Sequence, residues 1–132
     1  METRTHSLHL RADPDAVFAY LSEIRNMPRW AVNFCRSVKR EGGFTRLETP
    51  GGDLFFELKV DSGTGVIDFV GGPSTAALRR WHSRVVPAPG GGALFLFTAV
   101  RQPDEDLASF EGQCALLHEE LEHIRLEVEE AV

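Results

Sequence analysis

Arg79, Trp81 and Ser83 stand two residues apart in the run AALRRWHSRVV, the spacing that puts alternate side chains of a strand on one face. The other set carries Arg80, His82 and Arg84, so Ala77, Arg79, Trp81, Ser83 and Val85 are assigned to the inner face. That face then brings a cation, an indole and a hydroxyl into the interior. A buried arginine is costly unless it meets a carboxylate or an anionic ligand group. Asp68, the only acid of the preceding run GVIDFVG, is its candidate partner. Facing a cavity beside an aromatic ring, Arg79 and Asp68 would orient a carbonyl or enol and serve as an acid/base pair in a cyclisation or dehydration. The competing reading leaves Arg79 at the sheet edge and turns Asp68 outward.

Other chemistries find less support. His6 and His9 fall on opposite faces of a strand, and His118 and His123 are five apart on a helix, about 140° out of register. Neither pair makes a metal site, and the His118–Glu122 and Glu119–His123 spacings are those of surface helix pairs. No G-x-S-x-G elbow or Cys-His neighbourhood is present, and Cys114 lies on an apolar helix stripe where a thiol behaves as a small hydrophobe. The PGGG run leads from strand to strand, so no helix N-terminus stands ready to hold a phosphate. No metal and no cofactor is expected.

The composition narrows the partners. Of 132 residues, 42% are hydrophobic and 26% charged, enough apolar surface for one domain spanning 1–132 with a proper core. A net charge of −6 with only two lysines argues against a nucleic-acid or anionic-membrane surface. No apolar run is long enough to cross a membrane and no signal peptide is visible. Cys35 and Cys114 form no paired motif, so a cytoplasmic protein with free thiols is the expectation.

The elements that must position these residues follow from pattern. THSLHL alternates as a first strand, with His6, Leu8 and Leu10 on one side. A helix follows, capped by Asp13, opened by Pro14 and carrying Val17, Phe18, Leu21 and Ile24 at helical spacing. Pro28 disfavours helical geometry at Met27, so the helix should stop before it, with a short turn or second helix over Arg29 to Val32. From Phe34 to Val100, extended runs separated by glycine-rich turns predict an antiparallel meander. Its clearest alternation sets Leu54, Phe56, Leu58 and Val60 on the buried face, while ALFLFTAV is apolar on both faces and is either covered twice or part of a homodimer contact. Past Pro103, with Asp104 as N-cap and Glu105 and Asp106 in the first turn, a long helix carries one stripe through Leu107, Phe110, Cys114, Leu117, Leu121, Ile124 and Val128. Gly112 marks a bend or a close approach in it. The fold class is therefore α+β: one strand, one or two short helices, six more strands and a terminal helix around which the sheet curls.

This order, with ADPDAVFAYLSEIRNMPRW near the start and LFTAVRQPDEDLASFEGQCALLHEELEHIRLEVE near the end, resembles the START-like (SRPBCC) helix-grip superfamily, and its polyketide cyclase/dehydrase-like branch in particular. The resemblance implies a seven-stranded curved antiparallel sheet wrapped around the long helix. It also implies a deep cavity between them for lipids, polyketides or other apolar small molecules. The leading expectation is binding of an apolar or amphipathic small molecule by Trp81, Arg79, Ser83, Phe56, Leu58, Phe110, Leu117 and Leu121. Trp30 should chiefly pack, with pocket lining second, and Met27 and Arg29 should form a movable rim. The alternatives are a cyclase or dehydratase type of enzyme and an interaction module whose core is filled.

Overall fold

A computed structural model describes residues 1–130, so the last two residues of the expected 1–132 domain lie outside the described residues. Strand β1 (Thr3–Leu10) leads through α1 (Pro14–Ser22) and a 3-10 turn (Ile24–Asn26) to α2 (Met27–Trp30). Six strands follow: β2 (Ser37–Glu41), β3 (Phe44–Thr49), β4 (Gly52–Asp61), β5 (Val66–Gly72), β6 (Arg79–Pro87) and β7 (Ala93–Val100). The long helix α3 spans Leu107–Glu130. The seven strands form one antiparallel curved sheet in the order β1-β7-β6-β5-β4-β3-β2. The α+β architecture is the expected one. Because β1 pairs with β7, it lies at the edge opposite β2, and α1, the turn and α2 must carry the chain from one edge to the other.

The first helix opens as its residues dictate, with Asp13 Oδ1 accepting the Asp15 N–H at 2.8 Å and Pro14 supplying a position whose N–H needs no partner. Its end differs from expectation. Met27 is helical (φ −55°, ψ −41°) and begins α2, because Pro28 then falls in a first turn where its missing donor removes no helical bond. The cap of α3 also moves, from Asp104 to Asp106, whose Oδ1 accepts the Ser109 N–H at 2.7 Å. Glu105 and Asp106 thus precede the helix instead of filling its first turn.

Packing follows the alternation. On β6, Ser83 and Val85 are buried, Arg79 and Trp81 are half-buried, and Arg80, His82 and Arg84 are exposed, so the inner face is the assigned one. On β7, Ala93, Phe95, Phe97 and Ala99 are buried and the opposite set is half-buried between β1 and β6. On β4, Phe56 is buried and Leu54 and Leu58 half-buried, whereas Val60, beside the exposed hairpin turn, is 47% exposed. Along α3 the stripe is covered from Phe110 to Val128, but Leu107 at its start is exposed. Gly112 makes no close approach, since a Cβ there would meet nothing within 4 Å.

Candidate functional site

Concave sheet and α3 do not close completely on one another. Between them lies a cavity of about 460 Å³. Besides Phe110 from the helix, six aromatic rings supply much of its wall: Trp30, Phe34, Phe56, Phe69, Trp81 and Phe97. They touch in a chain, with Phe56 stacked on Trp81 at 6.2 Å, Phe34 edge-on to Trp81 at 6.3 Å, and Trp30 edge-on to Phe69 at 5.9 Å. Spacings of this kind lie in the range of favourable ring pairing. Gly71 makes room for this wall, because the Phe56 ring lies across the position a side chain would take. The lining runs outward to the exposed Asn33, Gln113 and Leu116, so the cavity opens to solvent beside the first half of α3.

Arg79 does reach the cavity, but its partner is not Asp68. Its Nη2 donates to the Val100 carbonyl at 3.0 Å and lies 3.6 Å from Glu105 Oε1, while the guanidinium sits 4.8 Å over the Trp81 ring. Glu105, just ahead of α3, is thus the half-buried arginine's counter-charge. Asp68 alternates away from Ile67 and Phe69 and meets Arg80 at 3.0 Å and His82 Nδ1 at 3.5 Å on the outer face. The expected acid/base pair is therefore split between the two faces of the sheet.

The remaining predicted residues divide. Trp81, Phe56, Phe110 and Leu117 line the cavity, as do Trp30 and Met27. Met27 is only 2% exposed, a core residue and not a rim, and Trp30 is core and wall together. The Trp30 Nε1 donor is buried without a hydrogen-bond partner among the described residues. Ser83, Leu58 and Leu121 stand outside the lining: the Ser83 hydroxyl donates to the Ile67 carbonyl, and the two leucines pack into the core.

Glu120 is the site residue that pattern reading missed. It lies on α3, 5% exposed, and lines the cavity. Its Oε2 accepts the Asn33 and Phe34 N–H groups at 3.0 and 3.1 Å, which pins the segment after α2 to the helix. Burial pushes its pKa up to about 7 against the opposing pull of those two donors. The signal was present. Glu120 stands three residues after Leu117 and four before Ile124, on the apolar stripe itself.

Two histidines from different elements also approach one another. His6 of β1 and His118 of α3 have ring centroids 6.3 Å apart. No cluster of three or more His, Cys, Asp or Glu suited to a metal occurs among the described residues. Both cysteines are free and buried, and burial pushes the Cys35 thiol up to about 11.

No protein-family model and no curated protein matches the sequence. Solved structures do. A START superfamily protein from Mycobacterium smegmatis superposes with a TM-score of 0.72 at 13% identity, covering 98% of this chain and 99% of that one. This is the START-like helix-grip fold. The Aha1 protein of Colwellia psychrerythraea, solved as a dimer, gives 0.72 at 13% identity over 97% of this chain and 96% of that one. BexL, a di-domain aromatase/cyclase of the BE-7585A biosynthetic pathway, gives 0.70 at 20% identity, with 98% of this chain matching 47% of that one.

Proposed function

We propose that the protein binds an apolar or amphipathic small molecule of aromatic, polyketide or lipid type in the cavity under α3. The observation that carries this reading is the aromatic cavity itself. Its volume falls in the range of small-molecule sites, and its wall is mostly apolar with few polar groups, as in such sites. Trp81, Phe56, Phe110, Leu117, Trp30 and Met27 would supply the contact area. Arg79, already paired with Glu105, would hold Trp81 in place more than it would seize a ligand. The fold shared with a START superfamily protein and an aromatase/cyclase domain is consistent with this use of the space but does not choose a ligand.

Native mass spectrometry of the purified chain, followed by a thermal-shift screen with lipids, quinones and aromatic polyketides, tests the reading. A mass adduct or a stabilised melt supports it. No adduct and no shift across the screen would overturn it in favour of an interaction module.

A further inference from the structure

The charges around the cavity do not balance locally. Its cation, Arg79, has the Glu105 carboxylate and the Val100 carbonyl. Its buried acid, Glu120, has two backbone N–H groups on Oε2 and no ion pair among the described residues. Glu120 Oε1 accepts no hydrogen bond among them, although the residue is 5% exposed and forms part of the cavity wall. A buried carboxyl without a cation is costly, and an occupant bringing a positive charge relieves that cost. The same cavity is lined by rings of a kind whose faces attract cations: Phe34, whose own N–H is bonded to Glu120, Trp30 and Trp81.

From this arrangement we infer that the cavity's ligand is an aromatic or amphipathic amine, with its ammonium group on Glu120 Oε1 and its hydrocarbon part among the rings. The inference rests on the binding function proposed above and names the polar group of that ligand. A carboxylate ligand is disfavoured by the same residues, since it would meet Glu120 and find Arg79 already neutralised.

Three probes sharing one skeleton separate the possibilities: naphthylethylamine, naphthylethanol and naphthylacetate, titrated calorimetrically into the wild-type chain and into Glu120→Gln. At about pH 7 the amine is fully protonated. The wild type is expected to bind the amine about ten-fold or more tighter than the alcohol, with the acetate weakest. Glu120→Gln should lose that preference, its affinities for the amine and the alcohol converging, while its far-ultraviolet circular dichroism and cooperative melt report that the variant is folded. Equal affinities in the wild type, a preference for the acetate, or an amine preference that survives in Glu120→Gln would overturn the inference and leave the binding function standing. Failure of all three probes to bind would overturn the inference, and the broader screen above then decides the binding function separately.

Discussion

Glu120 concentrates the chemistry of the site in one side chain. Its pKa of about 7 lies above the ordinary carboxyl value of 4.5, so the folded chain holds this proton more tightly than the unfolded chain does. The stability it contributes is complete below the unfolded value and is lost as the pH rises through the folded one. Glu120→Gln carries no such penalty, and should gain on the wild type by on the order of 3 kcal/mol between about pH 4 and about pH 8. Urea melts at the two pH values check this, and a difference that does not change with pH contradicts it. For Arg79→Met the expectation is a loss of about 2 kcal/mol, because Glu105, with 9% of its side chain exposed, is left without its cation. Adding Glu105→Gln should restore much of that loss in a double-mutant cycle. Residue roles were the least legible part of the sequence. Glu120 was not singled out among the acids of the long helix, although it shares the stripe of Leu117 and Ile124. Asp68 was matched to Arg79 by proximity in the chain, whereas a strand's two faces separate such neighbours.

At the scale of elements the reading fared better, because a strand or helix with one dry face writes its period into the sequence. The inner set of β6 and the stripe of α3 were legible for this reason. Caps were legible only to within a residue or two, as Asp106 in place of Asp104 illustrates, since adjacent acids can each serve. The two sides of α3's role separate by mutation. Ile124, fully buried below the cavity, should cost about 3 kcal/mol on replacement by Ala. Leu116, 46% exposed at the mouth, should change stability by less than about 0.5 kcal/mol when replaced by Ala, yet weaken ligand binding. Thermal melts and calorimetric titrations of both variants read the contrast, and equal stability losses would contradict it. Gly71→Val should act through the sheet wall, forcing the Phe56 ring off β5 and distorting the cavity. Reduced near-ultraviolet circular dichroism from the aromatic cluster, with the far-ultraviolet signal retained, is the expected signature.

For the whole molecule, strand order and the terminal helix define the fold; the meander of β2 to β7 was legible from turns and alternation and the wrapped seven-stranded sheet was implied by the family resemblance, whereas the return of β1 to pair with β7 was read from neither. The space left between sheet and helix was not legible from the residues, and only the family resemblance implied it. A cavity is set by the volumes of side chains meeting from different elements, such as Phe34 after α2, Phe56 on β4 and Phe110 on α3, and no single periodicity encodes that sum. Nor does the fold choose a ligand, since structures of this shape with 13% to 20% identity include an Aha1 protein and an aromatase/cyclase domain. Both tryptophans of this chain, Trp30 and Trp81, line the cavity. Their two indole N–H resonances are therefore direct reporters of its occupancy. A titration of the isotopically labelled chain with naphthylethylamine is predicted to shift both indole resonances saturably, ahead of the exposed backbone amides of β2 and β3. Indole resonances that stay in place with this probe, with its alcohol and acetate counterparts, and with the lipids, quinones and aromatic polyketides of the screen would contradict the claim that this cavity is a binding site.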